Sequence, residues 1–195
     1  MPTRPPGRLY TVQATIGGQR MAEVPDPYVH AVGLNGERGA LLDPATASPT
    51  RSSSEKCTCA TSPCTMPPQF GVGHKGKFLG VAETGTRSPG GVRTGLDHLT
   101  ELGLNHVHLL PTNDFAFVDE SRLTDNRYNW GYAPLYYSVP EGSYATDPAD
   151  PASRIREQEL MRTLHANELR LVLDVVYNHT ANAARSSFEQ LVPGY

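Results

Sequence analysis

Long apolar runs are missing from this chain of 195 residues. No stretch approaches the roughly 20 residues that a bilayer crossing needs. The opening residues Met1-Pro2-Thr3-Arg4-Pro5-Pro6 lack the apolar core of a secretory signal. The chain therefore reads as soluble and, by default, cytoplasmic. An excess of positive charge is also absent: 17 basic residues face 20 acidic ones, for a net charge of −3. Without a basic footprint, neither nucleic acid nor an anionic membrane surface is an expected partner. Cysteine is scarce, and Cys57, Cys59 and Cys64 sit at spacings of two and five. An odd count makes a poor disulfide framework, and the spacing lacks the convergent fourth ligand of a usual zinc site.

What is present is concentrated near the end. Leu171-Val172-Leu173-Asp174-Val175-Val176 runs without a break into Tyr177-Asn178-His179-Thr180. A continuous Leu/Val run predicts a parallel strand buried on both faces, and in α/β folds ligands gather at the carboxyl ends of such strands. Asp174 is the informative residue, because a carboxylate in an apolar run is costly unless it finds a partner. Asn178 and His179 are the nearest groups able to share its pocket.

The chain divides into three parts. In residues 1–45, short apolar stretches (Leu9 to Val12, Val29 to Val32, Ala40 to Leu42) alternate with turn signals such as Gly17-Gly18 and Asn35-Gly36, a β-hairpin pattern. Residues 46–75 hold all three cysteines, and Thr50 to Cys64 carry almost no large apolar side chain. Residues 76–195 alternate helix and strand. Val92, Leu96, Leu99 and Leu102 recur at helical spacing, Gly103 supplies a left-handed stop, and Val107 to Leu110 form the next strand. Asp150-Pro151 reads as an N-cap followed by proline at the first helical position. Ile155, Leu160, Met161 and Leu164 give that helix an apolar face, and the last strand starts near Leu169.

Asp174-Val175-Val176-Tyr177-Asn178-His179 resembles the first signature region of the α-amylase family of glycoside hydrolases. Tyr128-Asn129-Trp130-Gly131-Tyr132 and Val139-Pro140-Glu141-Gly142-Ser143-Tyr144 resemble its debranching branch, the type I pullulanases. So do Gly95-Leu96-Asp97-His98-Leu99, His106-Val107-His108-Leu109-Leu110-Pro111, Asp114-Phe115 and Val118-Asp119-Glu120. The resemblance implies an α/β fold: a partial (β/α)8 TIM barrel, first strands and helices only, preceded by the remnant of a β-sandwich module of carbohydrate-binding type. A full barrel takes about 250 residues, so this one is not expected to close.

The implied chemistry is retaining hydrolysis of α-1,6-glucosidic branch points in pullulan, starch or glycogen, with α-glucan as the partner. The resemblance puts the nucleophile and the acid/base downstream of this chain. No catalytic residue is therefore assigned, Asp174 is not the nucleophile, and the chain alone is expected to be inactive. The substrate-binding residues carried over are Tyr132, as a stacking face for the sugar, His179, as its hydrogen-bonding partner, and Asp174, which orders the strand tip. Asn178 and Trp130 complete the set. No metal ligand is assigned; calcium in the parent enzyme is left open, as is oligomeric state. Glu141, Asp147 and Asp119 read as loop and capping carboxylates.

The alternative from another class is a non-catalytic, lectin-like α-glucan-binding protein; within the enzyme class it is a relative of isoamylase or neopullulanase. Three departures stand out. Ala133 replaces a usual aspartate, Tyr136 a common asparagine, and Glu168 a helix-ending glycine. The codon families of Lys56 to Thr65, with each third base read with the next two, permit Met-His-Val-Arg-Asp-Phe-Ser-Met-His. That resembles the first-strand motif of pullulanases, so residues 46–75 are read as a frameshifted linker that lost the first barrel strand.

Overall fold

The computed structural model describes residues 7–42, 60–61, 74–125, 128–156 and 159–195. Most of the 46–75 segment, including the three cysteines, lies outside the described residues. Among the described residues no helix is long and apolar enough to cross a membrane.

The amino-terminal strands form two small antiparallel pairs. Strand β1 (Leu9–Tyr10) pairs with β4 (Gly39–Ala40), and β2 (Val12–Ile16) with β3 (Gln19–Val24). Gly17 and Gly18 both have positive φ, +58° and +82°, which suits the two-residue turn that joins β2 to β3. The expected strand over Val29 to Val32 is instead a buried apolar stretch, with one bridge from Val32 to Gly39. It packs with Tyr136 and Val139 as a small core, and Tyr10 covers its edge.

The main sheet is parallel, in the order β5 (Ala60–Thr61), β6 (His106–Leu109), β9 (Arg170–Leu173). A separate antiparallel pair, β7 (Asn113–Phe115) and β8 (Pro134–Pro140), follows β6. No barrel is closed among the described residues. Ala60 and Thr61 lie opposite His108 and Leu109, so part of the segment expected to have lost its barrel strand does join the sheet.

Helices α1 (Phe78–Ala82), α2 (Gly95–Glu101), α3 (Pro151–Arg156) and α4 (Glu159–Ala166) accompany this sheet, and α1, α2 and α4 share its core. Phe78 and Val81, Leu96 and Leu99, and Leu160 and Leu164 pack with Val107 and Leu109 of β6 in one core. Each such side chain contributes about 1.5–3 kcal/mol by leaving water. α2 is shorter than its apolar spacing predicts. Val92 and Leu102 are exposed, because the chain becomes helical only at Gly95 and Gly103, at φ +68°, stops it. Asp150 caps α3 as expected, its carboxylate accepting from the Ala152 amide at 3.0 Å.

α4 ends in a Schellman turn. The Leu169 amide donates to the Leu164 carbonyl at 2.9 Å and the Glu168 amide to His165 at 3.1 Å. This closes only if the residue between them is left-handed, and Glu168 has φ +61°. The expectation for β9 needs correction. Val172 and Leu173 are 37% and 44% exposed, since β9 has β6 on one side and no strand among the described residues on the other.

Candidate functional site

Two segments build the site at the carboxyl end of β9. The ladder from β6 continues one residue past the strand, the Asp174 amide donating to the Leu109 carbonyl at 3.2 Å. Opposite stands the loop 128–133. Gly131 has φ +85°, and a Cβ there would lie 2.8 Å from Pro111 Cβ, so only glycine lets the loop lie this close. Asn129 tightens it twice, accepting from the Gly131 amide and donating to the Ala116 carbonyl, both at 2.9 Å.

This folding brings Tyr132, Asp174 and His179 together. The Tyr132 hydroxyl donates to Asp174 Oδ2 at 2.6 Å. That hydrogen bond, with partial burial and the Asp174 charge behind it, pushes the Tyr132 pKa upward. His179 Nε2 donates to the Tyr132 carbonyl at 2.8 Å; a carbonyl only accepts, so Nε2 carries the proton. Asn178 Oδ1 lies 3.2 Å from His179 Nδ1, and the Tyr137 hydroxyl donates to the His179 carbonyl at 3.0 Å. Tyr132 is thus held at two points, its phenol by the Asp174 carboxylate and its backbone carbonyl by the His179 imidazole, with its ring partly open to solvent. Trp130 stands apart: 59% exposed, it meets Tyr128 edge-on at 5.5 Å.

The substitutions singled out in the sequence have local consequences. Tyr136 is buried, and its hydroxyl donates to the Gly36 carbonyl at 3.0 Å, joining β8 to the amino-terminal strands. The Ala133 carbonyl accepts from the Ala116 amide at 2.9 Å. Asp119 holds the Ser121 amide and hydroxyl, which with Asn35 lower its pKa to about 2. Asp147 accepts from the Ala149 amide. Glu141 accepts from the amides of Ser143 at 2.8 Å and Phe115 at 3.0 Å.

Sequence reasoning missed the charged cluster around Glu141. Arg154, fully buried, donates to Asp114 at 3.1 Å, to Glu120, and to the carbonyls of Gly33, Pro140 and Pro148. Asp114 Oδ2 is buried without a hydrogen-bond partner. One cation cannot balance three carboxylates in a dry interior. Burial, then the charge of Glu141, drives the Asp114 pKa well up, and burial raises that of Glu141 to about 7. Gly142 lies directly against this cluster. A Cβ there would sit 2.1 Å from Glu120 Oε1 and 2.3 Å from Arg154 Cζ.

Asp114, Glu120 and Glu141 are also the group of His, Cys, Asp or Glu side chains, among the described residues, close enough to share an ion. Arg154 already donates to two of the three, Asp114 and Glu120. Calcium takes six to eight oxygen ligands, and the Asn178 oxygen faces an imidazole instead. The residues there do not fit the ion, and no step is routed through it.

No protein-family model matches the chain. A pullulanase of Bacillus subtilis (strain 168) is 41% identical over 190 residues, covering 89% of this chain and 25% of that protein. An isoamylase 3, chloroplastic, of Oryza sativa subsp. japonica is 32% identical over 114 residues, 56% of this chain and 13% of that protein. The crystal structure of a pullulanase from Paenibacillus barengoltzii, in complex with maltohexaose and alpha-cyclodextrin, superposes with a TM-score of 0.85 at 45% identity. It covers 96% of this chain and 31% of that one. The likenesses in sequence and in fold point to the same family. The chain belongs to the pullulanases, and it spans about a quarter of the length of the Bacillus subtilis relative.

Proposed function

We propose that this chain forms the first part of a pullulanase-type active site, the floor that receives an α-glucan beside the branch point to be cut. The reading rests on one observation: Tyr132, Asp174 and His179, 42 and 47 residues apart in sequence, are joined by hydrogen bonds at the tip of β9. Tyr132 offers a ring face for the C–H bonds of a glucose unit. Asp174 holds the phenol, and His179 holds the backbone beneath it. With Nε2 on the Tyr132 carbonyl, His179 fixes the platform first; a sugar hydroxyl reaches its Nε2–H only by displacing that carbonyl.

Retaining cleavage of an α-1,6 bond needs two carboxylates roughly 5–5.5 Å apart across the scissile bond. Asp174 is committed to Tyr132, and the Asp114, Glu120 and Glu141 cluster is sealed from solvent. We therefore assign nucleophile and acid/base to other parts of the complete enzyme and expect no turnover by the chain alone. Its domains follow: residues 1–45 as the end of a β-sandwich module, 46–75 as the frameshifted linker, and 76–195 as the beginning of a barrel. Within 76–195, β6 and β9 pair in parallel and in chain order, as successive barrel strands do.

The test uses the purified 195-residue chain with pullulan. Retention on immobilised pullulan, lost in Tyr132→Ala, with no reducing sugar released, is expected. Release of reducing sugar would overturn the assignment of the acids, and failure to bind would overturn the floor. A lectin-like protein would bind in the same way, so isolated binding leaves ancestry to the comparisons. Among those, the pullulanase matches the chain at higher identity and over more of its length than the isoamylase.

A further inference from the structure

Phe117 is out of place for an ordinary loop residue. Its φ is +76°, a region that bulky side chains rarely enter. Its ring is 73% exposed, so no packing compensates the backbone. The conformation is imposed from both sides. Before it, the Ala116 amide and carbonyl are bonded to Ala133 and Asn129. After it, Asp119 accepts from Asn35 Nδ2, and the Glu120 amide donates to Asn35 Oδ1 at 2.8 Å. The loop that holds Phe117 in place is thus the loop that carries Trp130 and Tyr132.

The ring lies in the wall of a cavity of about 590 Å³. Thr180, Ala181 and Asn182, which directly follow His179, line the same cavity, as do Arg185, Glu37 and Leu135. An exposed aromatic face beside a guanidinium, a carboxylate and an amide is the combination that recognises a sugar: C–H bonds against the ring, hydroxyls to the polar groups. Strain held at an exposed position points to a use for the residue.

We propose that Phe117 is the stacking platform of a second glucose subsite, in the cavity beside the segment after His179, which takes a unit of the same α-glucan chain that Tyr132 contacts. Arg185 and Glu37 serve its hydroxyls. The proposal rests on the α-glucan reading above.

Calorimetric titration of the full chain with maltotriose and with maltohexaose tests it. Phe117→Gly is the useful variant, because glycine accepts a φ of +76° and the loop keeps its shape. It is expected to weaken maltohexaose binding about tenfold while changing maltotriose binding less than twofold, and to unfold at a higher temperature than the parent chain. Phe117→Tyr is expected to retain the parent affinity. Equal losses for both sugars, or none for either, would overturn the subsite while leaving Tyr132 as a binding residue. If the parent chain binds neither sugar, the α-glucan reading and the subsite fall together. If sedimentation shows a dimer that Phe117→Gly dissolves, the ring serves self-association and the proposal fails.

Discussion

Replacing Glu168 by glycine should stabilise this chain, although it removes side-chain atoms and adds no contact. Glu168 is the left-handed residue of the Schellman turn after α4, at φ +61°. The left-handed conformation costs a residue with a Cβ about 1–2 kcal/mol. Glycine escapes that cost but brings a freer unfolded chain, which offsets about 0.4–1 kcal/mol. The net gain is on the order of 0.5–1 kcal/mol, or about 2–4 °C in Tm at the upper end for a chain of this size. Removing a negative charge from a helix carboxyl terminus also helps, by about 0.3–1 kcal/mol at a surface site. Glu168→Ala separates the two effects, since alanine loses the charge and keeps the Cβ. Thermal and urea unfolding of the parent chain, Glu168→Gly, Glu168→Ala and Glu168→Asn should rank glycine first and asparagine second. If alanine gained as much as glycine, the backbone argument would be refuted.

Arg154→Met should cost about 3–5 kcal/mol, because it leaves buried carboxylates without their cation; urea unfolding measures it, and a loss below 1 kcal/mol would show that the cluster is already neutral. Glu141 is a proton holder: its folded pKa is about 7 against an ordinary 4.5. The folded chain keeps a proton that the unfolded chain has released, so stability falls as pH rises from about 4.5 to about 7 and levels off above. The loss is about 3 kcal/mol at most, the upward shift of Asp114 acts in the same direction, and Glu141→Gln should flatten the slope in urea titrations at each pH. Tyr132→Phe keeps the ring but loses the bond to Asp174. It should weaken maltotriose binding less than Tyr132→Ala does, and equal losses would show that the ring face contributes nothing.

What could be read in the sequence was local or carried by family resemblance. Glycines at 17, 18 and 103 marked turns through their conformational freedom, and Asp150-Pro151 marked a helix start by its hydrogen bond and fixed φ. Tyr132, Asp174 and His179 do meet, although neither periodicity nor spacing could bring residues 132 and 174 together. Trp130, expected with them, has its ring contact with Tyr128 instead. The Arg154 cluster was not legible. Its partners at 33, 114, 120, 140 and 148 belong to five segments, and only the folded chain shows that they converge. The Leu/Val run of β9 was read as buried on both faces, which a second neighbouring strand would achieve; with one neighbour, Val172 and Leu173 stay half open.

The central claim is that the tip of β9 and the 128–133 loop form one face for an α-glucan. Mapping amide and side-chain NMR shifts of the chain during titration with maltotriose tests it most directly. The account predicts saturable changes at Tyr132, Asp174, Asn178 and His179, absent in Tyr132→Ala. Changes confined to surfaces away from β9, or no saturable change with a folded chain, would contradict it.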